Sequence, residues 1–287
     1  MILKDKTFGG LRSRGIFKKS SNIKPLISVV TVVLNGEKHL EQAISSVIKQ
    51  TYDNVEYIVI DGGSTDGTID IIRKYNDLID FWISEKDSGL YNAMNKGITL
   101  SRGDFLGFVG SDDYLYPNTL EKIAKAAKKG SIDYTVGPVD IIKENGQLLE
   151  KILTLPNFLS KNRFIFDMAT HHLSFYINRK IINEVKFFDE NFMIRSDYDM
   201  TIKVISMNKK YYSFIDSVGA FRKGGVSGSY SSYFENFNIL RKHGISVFKS
   251  ILNILPSLIK LFIINNFPPL VIKWLRKNFS SGRFDQF

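Results

Sequence analysis

Gly103-Asp104-Phe105-Leu106-Gly107-Phe108-Val109-Gly110-Ser111-Asp112-Asp113-Tyr114 is the stretch around which the rest of the chain is read. An apolar run of strand length ends in two adjacent carboxylates. Open α/β sheets place ligand chemistry at the C-terminal ends of their buried strands. Neighbouring carboxylates repel one another unless positive charge stands beside them, and a hard divalent cation can supply it. A solvated Asp-Asp turn is the alternative reading of this stretch alone. The flanking sequence decides between them.

Upstream, Ile27 to Leu34 is a β-branched run of the kind that forms a buried parallel strand, broken by Asn35-Gly36. Leu40, Ala43, Ile44, Val47 and Ile48 then recur with helical spacing. Val55 to Ile60 reads as a second strand ending at Asp61, followed by the loop Gly62-Gly63-Ser64-Thr65-Asp66-Gly67 and a helix that Thr68 can cap. Phe81-Trp82-Ile83 is a short third strand, Leu90 to Ile98 a helix, and the opening stretch the fourth strand. This alternation predicts right-handed βαβ units and a mostly parallel sheet. Asn35, Asp61, Asp87, Asp112 and Asp113 follow successive strands. In a parallel sheet they converge on one edge, so an acidic cleft of nucleotide size is expected.

The 287 residues are 44% hydrophobic and 24% charged, enough for one large domain or a domain with an appendage. Without cysteine there are no disulfides and no thiolate metal sites. Met1 to Lys24 is polar and basic with no apolar core segment, so a secretory signal peptide is not expected. The net charge of +10 is uneven: residues 1–24 and 234–287 each carry +6, which leaves 25–233 at −2. The acids of the middle are free to hold a cation, while the basic ends can face an anionic surface. A uniformly basic nucleic-acid binder would not be patterned this way.

The cleft lacks two common signatures. Neither Gly-x-Gly-x-x-Gly nor a P-loop follows Leu34. A calcium loop at Asp61 would need glycine at its sixth position, which is Asp66.

Thr31 to Asn35, Asp61 to Thr68, Asp87 to Gly97 and Ser111-Asp112-Asp113, in this order, resemble the family-2 glycosyltransferases of GT-A fold, in the branch that builds bacterial surface polysaccharides. The resemblance covers about 25–230. It implies a Rossmann-like nucleotide-sugar half, 25–115, and a mixed acceptor half, 116–233, in an α/β domain with a mostly parallel sheet flanked by helices. It also implies roles. The segment Thr31 to Asn35 and Asp61 would receive the base of a UDP-sugar, with Asp66 in the same loop on the donor side. Asp112 would contact ribose or sugar, and Asp113 would ligate Mn²⁺ or Mg²⁺ on the diphosphate. A fixed cation there offsets the charge that the departing nucleotide gains. Asp87 and Lys96 would lie near the donor, Lys96 helping to neutralise phosphate, although a solvated helix lysine is the plainer alternative.

In the second half, Leu120 to Lys129 reads as an amphipathic helix, and Asp133 to Ile142 with Gln147 to Leu153 as a hairpin around Glu144-Asn145-Gly146. Met168 to Tyr176 contains His171-His172; the resemblance selects His171 as an acceptor-side or phosphate-side residue. Inverting transfer needs a general base for the acceptor hydroxyl, and the resemblance places it at Asp197. Asp199 competes, but a spacing of two puts the pair on different helix faces. Phe221-Arg222-Lys223-Gly224-Gly225 combines positive charge with glycines that let backbone N–H groups approach an anion; by resemblance, Arg222, Gly224 and Gly225 would close over the diphosphate.

From Phe234 the composition turns to Ile, Leu, Phe and Lys. Pro256, Lys260 and Pro268-Pro269 interrupt any spanning segment, and Trp274 beside Lys273, Arg276 and Lys277 has interfacial character. One or two amphipathic helices lying on an anionic membrane are expected, with core packing as the rival. The expected organisation is a flexible basic leader 1–24, a catalytic domain 25–233 and a helical region 234–287. The expected function is metal-dependent, inverting sugar transfer from a nucleotide sugar to a glycan or lipid-linked acceptor, peripherally at the cytoplasmic face of the membrane and without nucleic-acid partners. The alternatives are a sugar-nucleotide nucleotidyltransferase and a non-enzymatic basic binder of membrane or nucleic acid.

Overall fold

The computed structural model describes residues 7–129, 132–152, 170–224 and 229–266. They fall into two compact units, one ending at Gly224 and one formed by the helices that follow.

The first unit is built on an eight-stranded sheet. In chain order its elements begin with β1 (Thr7–Gly9), β2 (Ile27–Val33), α1 (Leu40–Ile48), β3 (Val55–Asp61), α2 (Thr68–Lys74), β4 (Phe81–Ser84), α3 (Leu90–Leu100), β5 (Phe105–Phe108), β6 (Tyr114–Leu115) and α4 (Thr119–Lys129). They continue with β7 (Tyr134–Val136), β8 (Val139–Ile142), β9 (Leu148–Ile152), β10 (Ile177–Asn178), α5 (Arg179–Val185), α6 (Ser196–Ser206), β11 (Tyr211–Ser213) and β12 (Gly219–Arg222). The large sheet runs β1-β4-β3-β2-β5-β10-β7-β11, and a small sheet runs β6-β12-β8-β9. Strands β4, β3, β2 and β5 are mutually parallel.

Continuous apolar runs explain that parallel centre. Every residue of β3 is buried, as are six of the seven in β2. Alternate side chains feed opposite faces. Ile27, Val29 and Val33 join Val55, Tyr57 and Val59 under α1, α2 and α4, whereas Val30, Ile58 and Ile60 meet α3, α5 and α6. Helix α1 docks through the expected stripe of Leu40, Ala43, Ile44 and Val47. The register pairs Val33 with Asp61 and Asp61 with Ser84, so the strand ends lie on one edge. The order reverses between β2 and β5, which is where an open α/β sheet leaves a crevice.

Three elements depart from the sequence reading. Residues 7–24 are part of the fold, not a flexible leader: β1 pairs antiparallel with β4, and Lys18 bonds Asp80 at 2.8 Å. Arg12 forms a buried ion pair with Glu56, which also accepts from Ser28 Oγ at 2.6 Å and Arg102 N–H at 2.7 Å. The basic charge of this segment is spent on acids that lie far along the chain. The expected strand from Asp133 to Ile142 is two strands in different sheets. Gly137-Pro138 separates them, and a proline without N–H cannot continue a ladder. Strand β9 then pairs antiparallel with β8 as the expected hairpin, of which Leu153 lies outside the described residues.

The second unit holds α7 (Tyr230–Lys242) and α8 (Val247–Asn266), which pack on one another. Its first helix starts four residues before the expected boundary at Phe234. Helix α8 continues through Pro256 although the ring removes one N–H from the ladder. Ser250 and Ile254 before it and half-buried Ser257 and Leu261 after it keep one inward face. Trp274 and its basic neighbours lie outside the described residues, among which no helix is long and apolar enough to cross a membrane.

Candidate active site

The strand ends bring three loops together. After β2, Asn35 adopts a left-handed φ of 52°, which an asparagine tolerates; its N–H donates to Ser64 Oγ at 2.7 Å and its Oδ1 accepts Thr65 N–H at 2.9 Å. After β3, Gly62 lies so close to Asp87 that a Cβ there would stand 2.5 Å from the Asp87 carboxylate. After β5, Gly110 is similarly crowded, by Asp113 at 2.5 Å, which makes the sharp turn that returns both aspartates to the sheet edge. A Cβ on Gly36 would stand 3.4 Å from Ser111 Oγ, across the crevice between β2 and β5. Asn35, Asp61, Asp87, Asp112 and Asp113 are thus neighbours at one edge.

Most of these acids are engaged by their own chain. Asp61 is fully buried: Oδ2 accepts from Gly63 N–H and Ser64 N–H at 3.0 Å each and from Ser84 Oγ at 2.7 Å, and Oδ1 accepts from Ser64 Oγ at 2.5 Å. These four bonds, three at Oδ2 and one at Oδ1, fix the course of the loop after β3. Thr31 is also fully buried, its Oγ1 accepting from Tyr57 OH at 3.0 Å, so its side chain stays inside the sheet. Asp66 accepts Thr68 N–H at 3.0 Å at the start of α2 and Glu37 N–H at 3.2 Å, and Glu37 in turn holds Gly67 N–H at 2.6 Å. Asp87 holds Gly89 N–H at 2.9 Å, just before α3.

Asp113 differs. It is 1% exposed; Oδ1 accepts Arg222 N–H at 3.0 Å, and His172 Nε2 donates to Oδ2 at 3.1 Å. Burial and the neighbouring Asp113 charge push the Asp112 carboxyl above its ordinary range. Burial pulls the His172 imidazole down. The hydrogen bond to Asp113 and the charges of Asp113, Asp197 and Asp112 outweigh it, so His172 titrates above its usual value. His171, the residue selected from the sequence, is instead driven well below by burial and by His172. Its Nδ1 accepts Leu173 N–H at 3.4 Å to start the short 3₁₀ turn that carries His172 to Asp113.

The closing loop is also different from expectation. The Arg222 guanidinium donates to Asp112 O, Lys143 O, Glu144 O and Gln42 Oε1 at 2.7–3.2 Å, which uses four of its five N–H groups and fixes the β8–β9 turn to α1. Gly224 is open, and Gly225 lies outside the described residues. Lys96 pairs with Glu85 at 3.0 Å and lines a groove of about 510 Å³ along α3 with Asn92, Asn95, Phe187 and Glu190.

Of the two competing acids on α6, Asp199 is fully buried and pairs with Lys203 at 2.7 Å. Asp197 lines a small cavity of about 20 Å³ together with His172, Phe108, Phe188 and Met200. Its Oδ1 accepts Tyr198 N–H at 2.9 Å and lies 3.1 Å from Tyr91 OH; among the described residues its Oδ2 accepts nothing. One carboxylate oxygen of Asp197 is thus open, and His172, which lines the same cavity, is itself bonded to the buried Asp113. His172 and Tyr91 are the two residues that sequence reasoning left without a role.

Comparison with known proteins bears on this constellation. The profile of the glycosyl transferase family 2 matches residues 28–192. The chain belongs to that family. An uncharacterized glycosyltransferase of Rickettsia bellii is 31% identical over 205 residues, which is 68% of this chain and 29% of that protein. The putative teichuronic acid biosynthesis glycosyltransferase TuaG of Bacillus subtilis is 26% identical over 74% of this chain and 84% of its own length. The chain thus spans less than a third of the Rickettsia relative. The structure of S. aureus TarS 1–349 in complex with UDP-GlcNAc superposes with a TM-score of 0.61 at 20% identity, over 79% of this chain and 67% of that one. That likeness shows the GT-A fold.

Proposed function

We propose that this family-2 chain is an inverting glycosyltransferase that moves a sugar from a nucleotide-sugar donor, a UDP-sugar, to a glycan or lipid-linked acceptor of surface polysaccharide synthesis. One observation carries the reading. Asp113, held by Arg222 N–H and His172, follows β5 at the strand-end edge, and Asp197 lines one small cavity with His172 and keeps Oδ2 open. The UDP-GlcNAc complex of TarS and the name of TuaG support the donor and the pathway class.

A divalent cation fits this chemistry. The described residues contain no cluster of three His, Cys, Asp or Glu side chains arranged to hold a metal. Mn²⁺ or Mg²⁺ on a diphosphate takes only one or two protein ligands, the remainder being phosphate and water. Asp113 would be the carboxylate ligand, with His172 beside it donating to its Oδ2. When bound, the ion stabilises negative charge on the leaving diphosphate. The chain's own residues do the rest: the 62–66 loop and Asn35 wall the donor crevice, and Asp197 Oδ2 takes the acceptor's proton.

Calorimetry with UDP and Mn²⁺ tests the site: tight binding is expected, and Asp113→Ala should abolish it. A hydrolysis screen across UDP-, GDP- and dTDP-sugars with Mn²⁺ fixes the base. Release of pyrophosphate from a nucleoside triphosphate would favour a nucleotidyltransferase instead.

The second unit supports a lipid-linked acceptor. Val247, Phe248, Ile251, Leu252, Leu255, Ile259 and Phe262 of α8 are each 43–70% exposed, and their spacing puts them on one face. Residues 234–287 carry a net +6. An apolar face with basic flanks lies on an anionic bilayer without crossing it. Flotation with phosphatidylglycerol vesicles should capture the protein, and Phe248→Glu with Phe262→Glu should release it. Equal binding of both forms would remove the membrane from the proposal.

A further inference from the structure

Tyr91 sits one turn into the Asp87–Gly97 motif, 3% exposed, with its ring 5.5 Å from Phe188. Its hydroxyl is 2.7 Å from Ile194 O and 3.1 Å from Asp197 Oδ1. We infer that Tyr91 is the positioning residue of the base, holding Asp197 Oδ1 so that Oδ2 alone meets the acceptor. The inference rests on the reading of Asp197 as that base.

A phenol has one proton to donate. The hydroxyl lies nearer Ile194 O than Asp197 Oδ1, yet while Asp197 is ionised its carboxylate is the stronger of the two acceptors, because hydrogen bonds to charged oxygen are stronger. Together with Tyr198 N–H at 2.9 Å, the phenol fixes the carboxylate plane from two directions. In the transfer step the acceptor O–H bond breaks and its proton passes to Oδ2. The freed oxygen pair forms the bond to the anomeric carbon, and the glycosyl–phosphate pair departs with the nucleoside diphosphate. Oδ1 is then the carbonyl oxygen of a neutral acid and a weaker acceptor. The phenol proton can turn to Ile194 O, which already stands at 2.7 Å, so no buried donor is stranded at either stage.

The same residue joins the two halves of the site. Asp87 packs against Gly62 on the donor edge and holds Gly89 N–H, and α3 starts at the next residue. Two residues after Gly89, Tyr91 reaches Asp197. The donor loop and the acceptor base are therefore both contacted from one short segment.

The test is Tyr91→Phe, which keeps the ring and removes the hydroxyl. With each UDP-sugar of the hydrolysis screen, kcat should fall about 10- to 100-fold, the cost of a misaligned catalytic group, while donor KM and UDP affinity by calorimetry stay within about twofold of wild type. An unchanged kcat, or loss of UDP affinity along with kcat, overturns the assignment. Asp197→Asn separates the two ideas: if it leaves hydrolysis intact the base reading fails, whereas an inactive Asp197→Asn beside a fully active Tyr91→Phe sinks only the role of Tyr91. Should no UDP-sugar be turned over, or Tyr91→Phe not fold, a crystal structure of the wild-type protein with UDP decides. Tyr91 Oη within hydrogen-bond reach of Oδ1 supports the inference, and a separation beyond about 3.5 Å overturns it.

Discussion

The donor edge and the acceptor side of this molecule use carboxylates in opposite ways. At the donor edge, Asp61 accepts three hydrogen bonds from its own loop and one from Ser84 at the end of β4, Asp66 two and Asp87 one from backbone N–H groups. On the acceptor side, Asp197 is held by donors at Oδ1 only. The first set builds backbone shape that a ligand can meet; the second keeps a reactive oxygen. A carboxylate's place in a motif does not distinguish these jobs: both oxygens of Asp61 and of Asp66 are engaged, whereas Asp197 leaves Oδ2 open.

The sharpest way to break that contrast is on α6, where both kinds occur two residues apart. Asp197→Asn should lower turnover by about 10²- to 10⁴-fold, the range that general-base catalysis contributes, with UDP binding unchanged. Asp199→Ala should do the reverse. It removes the partner of Lys203, whose side chain is 26% exposed, and loss of that charged hydrogen bond costs about 2 kcal/mol of stability. Assays and thermal melts on both variants decide the matter, and a severe loss of turnover in stable Asp199→Ala would exchange the two assignments.

At the donor edge the expected effect is smaller. Asp61→Ala removes the acceptor of Gly63 N–H, Ser64 N–H, Ser64 Oγ and Ser84 Oγ, four bonds each worth about 1 kcal/mol. Donor KM and UDP affinity should weaken by about tenfold, with kcat nearly kept. A fall confined to kcat would mean that Asp61 is not a loop organiser.

The donor half was legible because its signals are local. Uninterrupted β-branched runs such as Ile27 to Val33 and Val55 to Ile60 can be satisfied only as buried parallel strands, and each break at Asn35-Gly36, Gly62-Gly63 or Gly110 marks a turn on the same edge. The convergence of Asn35, Asp61, Asp87, Asp112 and Asp113 follows from topology alone. What escaped depends on contacts distant in sequence. Arg12 finds Glu56, and Arg222 finds Gln42 and the Glu144 turn, so basic residues that read as a solvated leader or a phosphate clamp are internal staples. Strands of two residues, β6 and β10, carry no period to detect. The choice between His171 and His172 rests on a three-residue 3₁₀ turn whose direction is set by tertiary packing. Tyr91 stood in a quoted motif, but nothing local shows that its hydroxyl ends beside residue 197.

The smallest expected effect lies where the acceptor half is tied back to the donor edge. Glu144, at the turn between β8 and β9, bonds Lys38 and accepts from His39 Nε2 at 2.9 Å, just ahead of α1. The hydrogen bonds from Lys38 and then His39 hold its carboxyl down at about 2, against 4.5 for an unperturbed glutamate. The folded value is the lower one, so the unfolded chain binds the proton first as pH falls. The contribution of this latch is therefore complete above 4.5 and is lost progressively toward 2. The groups are exposed, which keeps the effect modest and sensitive to salt. Glu144→Gln should accordingly melt slightly below wild type at pH 6 in low salt, and the two melting curves should converge as the pH approaches 2. A difference that persists unchanged at acid pH would show that Glu144 acts through packing of the turn and not through its charge.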